Sequence, residues 1–132
     1  MKKYGLSAAE KLKSKKDFEE LFQKGNILIS SNKRIKIVYL IDKDSVEYGF
    51  KAAVAVGKKA GKAFWRNRVK RLIRESIRLN KEILIKLTEE NSCNVRVIFS
   101  PCMLNMRNNR KIYLKDIMPD VVQIMSRISS NI

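Results

Sequence analysis

Apolar positions recur along this chain with two different periods, and the switches between them mark its elements. Phe18, Leu21 and Phe22 stand at helical spacing after Ser14-Lys15-Lys16-Asp17. There a serine able to cap a helix is followed three positions later by an acid. Gly25 is placed to stop the run, so a short helix is expected over 15–24. Ser30, Ser31 and Asn32 suggest a loop after the apolar Ile27-Leu28-Ile29. From Arg34 the chain reads as a strand through Ile35, Ile37, Val38, Tyr39, Leu40 and Ile41. Asp42-Lys43-Asp44-Ser45 makes a turn, and a second strand runs through Phe50, Ala53, Val54, Ala55 and Val56. The two strands most simply pair as an antiparallel hairpin.

Helical periodicity returns over 63–80, where Trp65, Val69, Leu72, Ile73 and Ile77 share one face at 100° per residue. Ile83, Leu84 and Leu87 extend that helix towards residue 90. A third strand is expected at Val95, Val97, Ile98 and Phe99, ended by Pro101. A last helix carries Leu114, Ile117, Met118, Val121, Ile124, Met125 and Ile128 on one face, with Pro119 kinking it or lying near its first turn. Residues 1–13 are polar and basic and read as an extended arm. No repeat, low-complexity segment or second domain is evident, so 1–132 is expected to be one α+β domain.

Charge changes the picture more than composition does. The net charge is +16, from 29 Lys and Arg against 13 Asp and Glu. Such an excess repels itself in the folded state and implies a polyanionic partner. Half of it lies between Lys58 and Arg78, where Lys58, Lys59, Lys62, Arg66, Arg68, Lys70, Arg71, Arg74 and Arg78 meet Glu75 alone. On the expected helix, Arg68, Lys70, Arg71, Arg74 and Arg78, with Asn67 among them, oppose the apolar face. A solvated face normally mixes signs. Arginine offers a planar fork of donors matched to phosphate oxygens, and a helix repeats it at fixed intervals. Binding to an anionic membrane surface is the rival, but the apolar face is needed to pack on the strands. Gly57-Lys58-Lys59-Ala60-Gly61-Lys62 superficially resembles a phosphate loop yet lacks the GxxxxGK[ST] pattern.

Catalytic side chains are scarce. The chain has no histidine, which removes the Ser-His and Cys-His nucleophile pairs. Cys93 and Cys102 are separated by an expected strand, and an extended run of that length spans about 30 Å, too far for a disulfide or a shared zinc. Neither a catalytic residue nor a metal-ligand set is assigned. Unpaired thiols suit a reducing cytosol, no apolar run reaches the length of a signal peptide or membrane span, and a cytoplasmic location is expected. The aromatics Phe18, Phe22 and Tyr39 leave two readings open. They pack in the core, or, bordered by Lys15, Lys16 and Lys36, they form a platform for single-stranded bases. Trp65 is expected to anchor the basic helix in the core.

Two stretches then carry a resemblance. Lys58-Lys59-Ala60-Gly61-Lys62-Ala63, followed by Arg66-Asn67-Arg68-Val69-Lys70-Arg71-Leu72-Ile73-Arg74-Glu75, resembles the signature of the protein subunit of bacterial ribonuclease P. Leu12 and Lys16-Asp17-Phe18-Glu19-Glu20-Leu21-Phe22-Gln23-Lys24-Gly25 look like the first helix of that family. Order and spacing agree over about 11–128. The resemblance implies a two-layer α/β sandwich with a small mixed sheet of three to four strands and a left-handed βαβ crossover. It also implies a function: assisting a catalytic RNA in endonucleolytic removal of the 5′ leader from precursor tRNA. The RNA would supply the active site and its Mg²⁺, with no small-molecule cofactor and no membrane. By the same resemblance, Lys58, Lys59, Arg66, Asn67, Arg68, Lys70, Arg71 and Arg74 would face the catalytic RNA. Phe18, Phe22 and Tyr39, with Lys16, would line a cleft for the leader.

The sequence departs from the family pattern at Ala53-Val54-Ala55-Val56-Gly57, where a Gly-x-x-Val-Ser type is usual. It also has Ser100-Pro101 in place of Arg-Pro, with Arg96 as the alternative carrier of that charge, and a long Ile27–Lys33 segment. Two other functions stand beside the implied one. A structural RNA-binding protein of ribosomal type would use the same charge without leader recognition. A DNA-binding regulator is disfavoured by the missing helix-turn-helix partner ahead of the basic helix.

Overall fold

A computed structural model describes residues 10–130. The elements run α1 (Lys15–Lys24), β1 (Asn26–Ile29), β2 (Ile35–Asp42), β3 (Gly49–Val54), a 3₁₀ turn (Lys58–Ala60), α2 (Ala63–Leu79), α3 (Glu82–Glu90), β4 (Asn94–Pro101) and α4 (Leu114–Ser129). The four strands form one mixed sheet in the order β1-β2-β4-β3. β2 is antiparallel to β1 and to β4, whereas β3 runs parallel to β4. A parallel pair needs a long crossover, and α2 with α3 supplies it.

The expected hairpin between β2 and β3 is therefore absent: β4 lies between them. The reason is in the side chains. Val95, Val97 and Phe99 of β4 are fully buried on one face, and Ile98 is buried on the other. A strand apolar on both faces is stable only inside a sheet. β3, with Lys51 exposed, takes the edge instead. Its edge is partly covered by the segment before α1, where Leu12 donates its N–H to the Ala52 carbonyl at 3.0 Å. This is the described end of the expected arm; residues 1–9 lie outside the described residues. The Ile27-Leu28-Ile29 run is β1, and it makes the hairpin with β2.

Alternation along the strands sorts the two faces of the sheet. Ile35, Ile37 and Tyr39 of β2, Phe50 and Ala52 of β3, and Val95, Val97 and Phe99 of β4 meet α2, α3 and α4 in the main core. Each large apolar side chain buried there contributes about 1.5–3 kcal/mol. On the opposite face Val38, Ile98 and Leu12 close over Leu21 of α1, with Phe18, Leu40, Ala53 and Ala55 packed around them. α1 is thus a single helix laid on the second face, outside the two main layers.

Local sequence explains the helix limits. The Ser14 hydroxyl accepts the Asp17 N–H at the start of α1. Gly25 ends it because the chain turns hard against β2: a Cβ there would collide with the Leu21 carbonyl oxygen and Val38 Cγ1. α2 and α3 are separate helices. Asn80 folds back on the end of α2, its Nδ2 donating to the Ser76 carbonyl at 2.9 Å and its backbone N–H to Ile77. Pro119 lies in the second turn of α4, and Ile117, Val121, Ile124, Met125 and Ile128 are buried around it.

Candidate nucleic-acid interface

α2 begins at Ala63 with no side-chain cap and no acid in its first turn. Little about its start is intrinsically stabilising, so the helix is held mainly by its buried face. Trp65, Val69, Ile73, Ser76 and Ile77 are all buried, and the Ser76 hydroxyl is satisfied by the Leu72 carbonyl at 2.8 Å. The Trp65 indole N–H donates to the Asn109 carbonyl at 2.9 Å, so Trp65 is the anchor its position implied.

The basic residues do not form one uniform face. Asn67, Arg71 and Arg74 are exposed, whereas Arg66, Arg68, Lys70 and Arg78 are half-buried. Arg78 is paired with Glu75 one turn back. Arg68 turns towards the connection before α4. Its Nε and Nη2 both donate to the Ile112 carbonyl, at 2.9 and 2.8 Å, and its guanidinium lies 5.7 Å from the centre of the Tyr113 ring. Arg68 therefore fastens α2 to the segment leading into α4, a role hidden from helical periodicity. Arg66 lies at the other flank, with its Nε shielded from solvent and without a hydrogen-bond partner among the described residues.

Asn67, Arg68, Lys70, Arg71 and Arg74 line a shallow groove of about 460 Å³ together with Phe64. Phe64 is 61% exposed. Sequence reasoning passed over it, although a large aromatic on the polar side of an amphipathic helix is itself a signal of contact. Lys58 and Lys59 are exposed on the 3₁₀ turn just before α2.

The expected aromatic cleft is brought together only in part. Phe18 is half-buried on α1 and Phe22 is exposed, with Lys16 exposed in the first turn of the same helix. Tyr39 does not join them. It is 3% exposed and packs in the main core, on the opposite face of the sheet from Phe18. The cause is strand parity: Val38 and Leu40 face α1, so Tyr39 between them faces α2 and α4. What Phe18 does share is a groove of about 370 Å³ with Lys11, Lys13 and the β3 edge, closed on its far side by Arg74 and Ile77 of α2. Arg74 thus links the basic helix to the aromatic helix.

Arg96 is engaged within the fold. Its guanidinium bonds Asp17 at 2.8 Å and also Glu20, tying α1 to β4 across the sheet face. The hydrogen bond and charge of Arg96 hold the Glu20 carboxyl below its ordinary pKa. The charge missing at Ser100 is therefore not replaced by Arg96.

Among the described residues no group of three or more His, Cys, Asp or Glu is placed to hold a metal ion. Cys93 is buried and Cys102 exposed, both as free thiols, and burial pushes the Cys93 thiol upward. No helix among the described residues is long and apolar enough to cross a membrane.

The profile of the family described as Ribonuclease P matches residues 6–116, which takes in α1, the whole sheet and α2. The chain belongs to the ribonuclease P protein family. Relatives named ribonuclease P protein component include one from Geobacillus sp. (strain WCH70), 40% identical over 65 residues, covering 49% of this chain and 53% of the relative. Another, from Macrococcus caseolyticus, is 37% identical over 81 residues, covering 61% of this chain and 67% of the relative. A third, from Bacillus cereus (strain 03BB102), is 42% identical over 72 residues, covering 54% and 59%. The matched segments thus span about half to two thirds of these relatives. Solved structures of ribonuclease P proteins share the fold. That from Thermotoga maritima has a TM-score of 0.69 at 20% identity, over 89% of this chain and 96% of its own. That from Staphylococcus aureus has a TM-score of 0.65 at 20% identity, over 90% and 94%. Most of α4 falls beyond the family match.

Proposed function

We propose that this chain is the protein component of a ribonuclease P ribonucleoprotein. It binds the catalytic RNA through α2 and the preceding turn, and it holds the 5′ leader of precursor tRNA along α1. The observation that carries the reading is the groove shared by Phe18 and Arg74, which joins the family's basic helix to an aromatic surface. Arg71, Arg74 and Asn67 are free to reach phosphate oxygens and nucleotide edges, and Lys58 and Lys59 continue the cationic track. Phe18 and Phe22 offer stacking surface to unpaired bases. The polypeptide positions substrate, and the phosphodiester hydrolysis that Mg²⁺ assists belongs in this reading to the RNA partner. The working site is the cytoplasm.

The test uses purified, RNA-free protein and a cognate catalytic RNA. The protein alone should leave precursor tRNA intact, and added to the RNA at low Mg²⁺ it should raise the cleavage rate. Cleavage by RNA-free protein overturns the proposal.

A structural RNA-binding role without leader recognition draws support from one observation, the burial of Tyr39, which withdraws one of three expected leader contacts. Leader dependence separates the two. Phe22→Ala should weaken holoenzyme binding of precursor tRNA more than of mature tRNA; equal loss on both favours the structural role.

A further inference from the structure

We infer that the connection from β4 to α4 carries a second RNA-phosphate site, formed where Arg107 and Arg110 face Lys59 and Lys62 across a groove. The inference rests on the RNA-binding reading above and adds a contact that the basic helix does not provide.

The groove has a volume of about 670 Å³, and its wall contains these four cations with Asn105 and no acidic residue. Among the described residues none of the four has an ion-pair partner. In a chain that also spends arginines on internal contacts, as at Arg68 and Arg96, four cations converging without an anion are poised for an external one. Arg107 and Arg110 add guanidinium forks to the point charges of the lysines, a combination suited to successive phosphates of a strand.

The loop is built rather than merely present. The Met106 N–H donates to the Ala60 carbonyl at 2.7 Å, pinning the loop to the turn that carries Lys59. Trp65 holds Asn109 and Arg68 holds Ile112, both from the buried flanks of α2. Inside the loop the Asn108 N–H bonds Asn105 Oδ1 at 2.9 Å, and the Asn109 N–H bonds the Asn105 carbonyl at 2.8 Å. Gly61 permits this closeness, since a Cβ there would stand 2.6 Å from the Met106 Cβ. The loop backbone is thus ordered before any partner arrives, which lowers the entropic cost of binding. RNA is favoured over a lipid surface because the cations line a concavity continuous with the Lys58-Lys59 turn, where a strand fits and a flat bilayer does not.

The experiment measures affinity against KCl concentration for two double variants, Arg107→Gln with Arg110→Gln, and a control, Lys43→Gln with Lys86→Gln. The control removes the same net charge from exposed positions outside the groove. One arm uses the catalytic RNA alone, and the other uses holoenzyme with precursor tRNA. Loss of two phosphate contacts should lower the salt slope by about 2 in one arm or the other, and that arm names the RNA. A slope equal to the control's in both arms overturns the inference, as does binding to phosphatidylglycerol vesicles with no change towards RNA. Arg107 and Arg110 have no side-chain partner among the described residues, so melting should match wild type; should the pair melt early, each single variant is read alone against a slope change of about 1. Wild-type protein that binds no catalytic RNA would sink the proposed function instead, and the groove would then be judged on a mixed-sequence single-stranded RNA.

Discussion

Arg68 and Arg71 look interchangeable on a helical wheel, and the structure assigns them different work. Replacing Arg68 by Ala removes two charge-assisted hydrogen bonds to the Ile112 carbonyl and the contact with the Tyr113 ring. Hydrogen bonds to a charged group contribute about 1.5–3 kcal/mol. Because both bonds end on one oxygen, they count together rather than twice. The ring contact, partly exposed, adds about 0.5 kcal/mol. The expected loss is about 2–3 kcal/mol, a factor of about 30–150 in the folding equilibrium. Arg71 is exposed and makes no hydrogen bond or ion pair among the described residues, so Arg71→Ala should stay within about 0.5 kcal/mol of wild type. Urea denaturation followed by circular dichroism reads both. With a slope of about 1–3 kcal/mol per molar, Arg68→Ala should lower the midpoint by about 0.7–3 M while Arg71→Ala scarcely moves it. RNA affinity at fixed, fully folding conditions should fall for Arg71→Ala. Equal midpoints for the two variants would refute the assignment of Arg68 as a fastening residue.

Three further outcomes follow from the geometry. Tyr39→Ala should cost about 3–5 kcal/mol in denaturant titration, as expected for a large core side chain, while Phe22→Ala should change stability little; the reverse order would contradict the parity of β2. Glu20 has a folded pKa below its unfolded one, so its contribution is fully present above the unfolded value of about 4.3 and is lost as pH falls through the folded value. Melting temperatures of wild type and Glu20→Gln should accordingly differ at neutral pH and converge in acid, and a gap independent of pH would show that Arg96 does not act through this carboxylate. Gly25→Ala should cost about 1–3 kcal/mol by forcing the end of α1 away from β2; a variant as stable as wild type would mean that the two elements can separate freely.

What was legible in the sequence was whatever is encoded locally. The limits of α1 and the face of α2 that holds Trp65, Val69 and Ile73 follow from spacing and caps, and they appear where expected. The neighbours of β3 were not legible, because strand order is decided by burial on both faces of β4, some forty residues downstream. The side of the sheet taken by Tyr39 depends on the same non-local pairing, since a shift of one residue exchanges faces. The internal contact of Arg68 was hidden for a related reason: its partner, the Ile112 carbonyl, belongs to an irregular segment whose course is set by contacts with Ala60, Trp65 and Arg68 itself. The motif residues Asn67, Arg71 and Arg74 needed no such information, because exposure on a helix is a local property.

The central place of β4 has a consequence for how the molecule is made. Ile35 of β2 pairs with Pro101 of β4, and both neighbours of β4 leave the ribosome before it does. Distant pairing of this kind must first meet the entropy of closing a long loop, and it slows folding. At ordinary elongation rates of about 5–20 residues per second, roughly one to four seconds pass between completion of α2 and completion of β4. For that interval the most cationic stretch of the chain exists without the sheet that orients it. Any polyanion nearby meets charge before it meets shape.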